Sequence, residues 1–187
     1  MAVAPVPATD RASFFRLPSC AAAGAPVLFG VPSALGSPHA ETRNGPYFLR
    51  RLTRRFTWSS RQPALINLGG ERASINGAAD IGDVDPGDDL GALMARIEAT
   101  IAALPDRSAP IAVGGDHSIT HPMVRALQAR LDRPITVVCF DHHLDHQYWA
   151  RSLDPVFHTN VMTHVSDVVG AGRLIQIGAE PVQTAPA

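Results

Sequence analysis

The sequence predicts an α/β fold, with three layers (α/β/α) built on a mostly parallel sheet. Two apolar runs, Pro110-Ile111-Ala112-Val113 and Ile135-Thr136-Val137-Val138-Cys139-Phe140, pass abruptly into polar residues. Buried parallel strands behave this way at the carboxyl edge of a sheet, where open α/β folds place their ligands. Between the two runs, Thr120–Leu131 carries Met123, Leu127 and Leu131 at i, i+4 and i+8, the stripe of a helix packed on one face. Strand, helix and strand make a βαβ unit whose two polar ends share one rim.

In chain order, residues 1–24 are rich in Ala and Pro and read as an irregular arm, 25–180 as one α/β domain, and 181–187 as a tail. Pro26–Val31 is the first strand, ended by Pro32. Residues 33–44 are a loop by composition, in which His39 reads as a surface side chain. Asn44-Gly45-Pro46 starts a helix over 47–56, with Pro46 suited to its first position. That helix bears Arg50, Arg51, Arg54 and Arg55, with Arg61 beyond, interleaved with Tyr47, Phe48, Phe56 and Trp58. Residues 65–70 form a short strand and turn, and 78–83 a similar one whose Asp80 and Asp83 are assigned to loop amides. A helix over 90–104 carries an apolar stripe of Leu90, Leu93, Met94, Ile97, Ile101 and Leu104, with Asp88 and Asp89 as its start signals. His121 precedes Pro122 in the first turn of the next helix and takes no ligand role. A loop over 148–157 leads to His158 and to a helix ending at Val169, where His164 serves packing or surface; residues 173–178 are the last strand.

Composition bounds the function. A chain of 187 residues, 45% hydrophobic with a formal net charge of −1, is an ordinary globular class, long enough to bury one sizeable core. Its pI of about 6.7 argues against a nucleic-acid partner for the arginine-rich helix, which reads instead as a solvated or subunit-facing surface. All 16 basic residues are arginine. Cys20 and Cys139 read as free, buried thiols of a reducing compartment. No apolar run reaches the roughly 20 residues that span a bilayer, and no secretory signal is evident, so a cytoplasmic protein without a membrane partner is expected.

The chemistry gathers at the two polar ends. In Gly114-Gly115-Asp116-His117-Ser118, paired glycines allow a tight turn and present Asp116 and His117 at the rim. Asp141, His143 and Asp145 lie at i, i+2 and i+4, the spacing that sends alternate side chains to one side of an extended chain. Two carboxylates and imidazoles suit a hard-to-borderline divalent ion such as Mn²⁺. The alternative is a solvated Asp/His-rich loop.

The GGDHS and DxHxD pair resembles the ureohydrolase family of arginases and agmatinases. Gly30-Val31-Pro32, Asn44-Gly45-Pro46, Asp80-Ile81-Gly82-Asp83 and Gln176-Ile177-Gly178 extend the likeness over most of the chain, and favour the agmatinase-like branch. The resemblance implies an arginase-like fold and a cytoplasmic hydrolase releasing urea from a small guanidino substrate through a metal-bound hydroxide. It implies manganese, binuclear in the family, held here by His117, Asp141, His143 and Asp145. Asp145 would hold the nucleophile, while His158, assisted by Asn160, would orient substrate or protonate the leaving amine. A homo-oligomer is implied for the complete fold. Two departures stand out. His142 occupies a position where the family commonly has alanine, and is expected to pack into the adjacent layer. The family's later SxDxDxxDP strand is absent from this sequence, which reads as a C-terminally truncated, incomplete fold binding one ion or none. The second reading is therefore a non-catalytic relative.

Overall fold

Why Phe29 and Val31 are buried while Gly30 between them must lack a side chain explains the layering. The computed structural model describes residues 13–54, 64–66, 72–74, 77–146 and 155–180, with 64–66 and 72–74 as backbone. Strand β1 (Pro26–Val31) runs through the centre of a parallel sheet, between β4 (Ala79–Asp83) and β5 (Ala109–Gly114). Phe29 and Val31 project to one face, where Leu93, Ile97 and Ile101 of helix α2 (Leu90–Ala102) meet them in a closed cluster. Burying a side chain of this size contributes roughly 1.5–3 kcal/mol, which is why the apolar stripe of α2 lies there. Gly30 faces the other way, and a Cβ on it would lie 2.8 Å from Pro46 Cβ. Helix α1 (Gly45–Thr53) therefore covers the second face, and three layers result.

Helix α3 (Thr120–Leu131) joins two cores. Its Ile119-adjoining end and Ala126 pack with α2 and β1, whereas Val124 packs with Val161, Met162 and Val165 of helix α4 (Val161–Val169). Strands β6 (Val137–Phe140) and β7 (Leu174–Ile177) pair in parallel under α4. A short antiparallel hairpin, β2 (Ala64–Ile66) with β3 (Arg72–Ser74), completes the described elements, and β3 has no counterpart in the sequence reading. The Asp89 carboxylate caps α2, accepting from Ala92 N at 2.6 Å, as its start signal implies.

Several expectations need correction. Strand β5, helix α3 and strand β6 follow one another as expected, but among the described residues β5 and β6 belong to separate sheets, because β5 pairs with β1 and β6 with β7. Strand β6 is not buried on both faces: Phe140 is 78% exposed, and Val138, Ile175 and Ile177 are also exposed. Among the described residues, Val137, Cys139 and Leu174 of this pair pack inward, against the core that α4 closes. Cys20 is exposed rather than buried, although both cysteines are free. Helix α1 is not solvated throughout, since Arg50 is buried and pairs with Asp80 and Asp83. The readings that fall on Arg55, Phe56, Trp58, Arg61 and residues 67–70, on 1–12, on 147–154 and on the 181–187 tail lie outside the described residues.

The α3–α4 contact contains a titratable pair. The rings of His121 and His164 lie 5.5 Å apart, and His121 Nδ1 is buried without a hydrogen-bond partner. Burial, helped by His164 and Arg125 and opposed by Asp167, pushes His121 down from 6.5 to about 4. Above pH 6.5 the ring is neutral in both folded and unfolded chains and contributes no slope. Between 6.5 and 4 only the unfolded chain takes up the proton, so stability falls as pH falls, by at most about 3 kcal/mol and by less to the extent that solvent screens the half-open ring. Denaturant titrations of wild type and His121→Phe at pH 7.5, 6 and 4.5 should therefore diverge toward acid, with the variant losing less. Parallel pH curves would show that His121 is not the cause.

Candidate metal centre

The turn that carries His117 is fixed from beneath. A Cβ on Gly115 would sit 2.2 Å from Ser33 O and 2.7 Å from Val31 O, so the chain can cross the end of β1 there only as glycine. Backbone bonds from Gly115 N to Val31 O (3.2 Å) and from Asp116 N to Ser33 O (3.0 Å) hold the crossing. Asp116 was expected at the rim beside His117, but it is buried. Its Oδ1 accepts from Ser118 N (2.8 Å) and its Oδ2 from Gly36 N (3.1 Å), capping the turn and anchoring the loop that follows β1. His117 is left pointing at the opening between β5 and β6.

The second polar end arrives differently from the expected alternation. Strand β6 stops at Phe140, although Asp141 N still bonds Ile177 O of β7 at 3.1 Å. The chain then curls: His143 N donates to Asp141 Oδ1 at 2.8 Å, and Asp145 takes a left-handed conformation, φ +45°. Met162 N, at the start of α4, donates to Asp145 O (2.9 Å), and Gln176 Nε2 of β7 donates to Leu144 O (2.6 Å). These two bonds bring Asp145 back to the His117 ring, a placement that a period-two strand could not give.

The result is a convergence of three predicted ligands. His117 Nδ1 lies 2.9 Å from Asp145 Oδ2 and 4.0 Å from Asp141 Oδ2, and all three side chains are partly open to solvent. Cys139, one strand step behind Asp141, also reaches this place: one ligand atom each of His117, Cys139 and Asp141 lie within 4.8 Å of one another. Burial, with Asp141 and Asp145 adding to it, pushes the Cys139 thiol up from its ordinary value. Sequence reading assigned Cys139 to the core and missed this; its odd-numbered register with Asp141 was the available signal. His143 is not drawn into the group. Its ring is 63% exposed, with Nδ1 3.6 Å from Asp141 Oδ1 on the outer side. His142, expected to pack into a neighbouring layer, is exposed as well, lying 3.7 Å from Glu180 and against the His143 ring. Among the described residues, no layer covers the loop after β6 to receive that ring.

His158 sits on a neighbouring wall. Its backbone N and its Nδ1 both approach Gly36 O, at 2.9 and 2.8 Å. A carbonyl only accepts, so Nδ1 carries the proton in this contact and Nε2 is the edge left for a ligand. Gly36 thus links the two parts of the site, its N–H bound to Asp116 beneath His117 and its carbonyl to His158. His158, Phe157 and Thr159 line a cleft of about 460 Å³ with Leu35, Gly36, Ser37 and Pro38. Asn160 does not face that cleft. It is 2% exposed, with Oδ1 accepting from Phe157 N and Nδ2 donating to Pro155 O, so it shapes the His158 loop instead of holding substrate. His39 is exposed, its ring 6.3 Å from that of His158.

The residues fit one divalent ion. An imidazole and two carboxylates open to solvent at a strand mouth are a hard-to-borderline donor set, and the carboxylates of Asp145 and Asp141 lie 2.9 and 4.0 Å from the imidazole nitrogen.

"Arginase 1, mitochondrial" of Oryza sativa subsp. indica is 27% identical over 169 residues, which is 83% of this chain but 47% of that protein. The chain thus spans about half the length of the curated relatives it matches. A hypothetical agmatinase from Burkholderia thailandensis superposes with a TM-score of 0.74 at 22% identity, covering 92% of this chain and 55% of the other. A Trypanosoma cruzi formiminoglutamase, described with Mn²⁺, gives a TM-score of 0.70 at 20% identity, covering 90% and 58%. At these identities the two structures establish the arginase-like fold. Residues 25–185 match the model of the arginase family, and the chain belongs to that family.

Proposed function

We propose that this chain is a manganese-dependent hydrolase of linear guanidino compounds that releases urea, with agmatine as the leading substrate. The observation that carries the reading is the 2.9 Å approach of His117 Nδ1 to Asp145 Oδ2, with Asp141 Oδ2 at 4.0 Å, at the meeting of two strand ends. Family membership and the Mn²⁺ named with the trypanosomal formiminoglutamase support the choice of ion. His117, Asp141 and Asp145 would hold it, with His143 reachable by rotation about its exposed side chain. A bound divalent ion supplies the positive charge that acidifies water near neutral pH.

The chain's own groups do the rest. Asp145, held by Met162 N through its carbonyl, keeps its carboxylate in place to orient water and accept its proton. The Nε2 edge of His158 would orient the substrate and, after taking up the proton that Asp145 removes from water, pass it to the leaving amine, and the Nδ1–H bond to Gly36 fixes the ring for that task. A relative that binds one ion and does not turn over is the second reading, favoured because the converging donors among the described residues suffice for one ion. Purified chain given Mn²⁺ is assayed for urea with agmatine, guanidinobutyrate and arginine. Agmatine should give the fastest release. No urea from any of the three, with one ion bound per chain, would replace the hydrolase by the second reading.

A further inference from the structure

We infer that Cys139 is a metal-binding residue of this centre, a thiolate donor beside the imidazole and carboxylates that lets the site take Zn²⁺ and Co²⁺ as well as Mn²⁺. The inference rests on the metal-site reading above and goes further by assigning a sulfur ligand to it. Cys139 leans inward on β6, on the same side as Asp141, with its backbone fixed by pairing to Gln176 of β7. Its Sγ, a nitrogen of His117 and an oxygen of Asp141 are mutually within 4.8 Å. Donors about 2.1–2.3 Å from a tetrahedral ion lie about 3.5 Å apart, so drawing the three onto one ion needs movements of about 1 Å or less each. Rotation about the His117 and Asp141 side chains, both partly open, can supply that. Asp145, hydrogen-bonded to His117, stands beside the group as a fourth donor or as the partner that orients the imidazole.

A hard ion gains little from sulfur, whereas thiolate is a preferred donor for Zn²⁺ and for Co²⁺ in its place. On binding, the S–H bond breaks, the sulfur electron pair forms the metal–sulfur bond, and the proton leaves to solvent. The oxidation state of neither partner changes.

The test is the absorption spectrum of the full chain titrated with Co²⁺, in a Cys20→Ala background so that Cys139 is the only thiol. A near-ultraviolet thiolate-to-cobalt charge-transfer band, together with intense visible bands of tetrahedral Co²⁺, is expected. Cys139→Ser should abolish the charge-transfer band and weaken Zn²⁺ binding at least about tenfold, with Mn²⁺ affinity changed less. Visible bands without charge transfer would overturn the role of Cys139 and leave the His117/Asp141/Asp145 site standing. No saturable Co²⁺ binding would overturn both. The Cys20→Ala spectrum decides between these outcomes even if the serine variant fails to fold.

Discussion

Replacing Arg50 by alanine is expected to destabilise the fold by about 3–5 kcal/mol, the range for removing one partner of a buried ion pair. Arg50 Nε and Nη2 bind the two oxygens of Asp80 at 2.8 and 2.9 Å, Nη1 binds Asp83, and the guanidinium lies 4.2 Å over the Phe14 ring. Burial opposes the charge on Arg50, and the bonds to Asp80 and Asp83 more than offset it, so its pKa is raised. Asp80 is itself buried and also accepts from Phe14 N and Gly82 N. Without the guanidinium, a carboxylate is left uncompensated between α1 and the sheet, and the cost follows from that orphaned charge. Arg51, one residue on, is exposed and contacts Tyr47; its alanine variant should cost less than about 1 kcal/mol. Urea denaturation midpoints at unchanged slope compare the two. Equal, small losses would show that the Arg50–Asp80 pair is not what holds α1 in place.

The second large effect is on the ion. Asp141→Ala or His117→Ala should lower divalent-metal affinity by at least about a hundredfold, beyond the 10–100-fold typical of changes in groups that only support a ligand. Both side chains lie at the rim and outside the two apolar cores, so the variants should unfold near the wild-type midpoint. His143→Ala is the informative companion. Its ring now lies on the outer side of Asp141, so retained affinity in that variant would remove His143 from the ligand set while leaving the other three. Isothermal titration with Mn²⁺ measures all three changes.

Which of these features the residues disclosed depends on the range of the forces involved. Strand β1, α2 and α3 were legible because each has one apolar face of regular period, and the turn after β5 because paired glycines announce a tight crossing. His117, Asp141 and Asp145 could be picked out as residue types at strand ends. Their convergence, however, depends on Asp145 taking a left-handed conformation and on bonds from Met162 and Gln176, contacts 17 and 32 residues distant that no local pattern encodes. Arg50 was read as surface because an arginine-rich helix usually is; only Asp80, 30 residues on, turns it inward. Asp116, expected at the rim, and Asn160, expected to help hold substrate, bond loop backbone, since a carboxylate or amide is equally fit for either task. The open face of β6 and β7 was invisible for another reason: an apolar run announces that it could be buried, not what lies over it.

The central claim, that two strand ends deliver imidazole and carboxylate to one ion, is tested most directly by paramagnetic broadening. Substoichiometric Mn²⁺ is added to isotopically labelled chain, and the resonances that vanish first are mapped. The His117 ring and the amides of residues 116–117 and 141–145 should disappear together, while those of α2 persist. Early loss centred elsewhere, or uniform broadening without any focus at His117 and Asp141, would contradict the account.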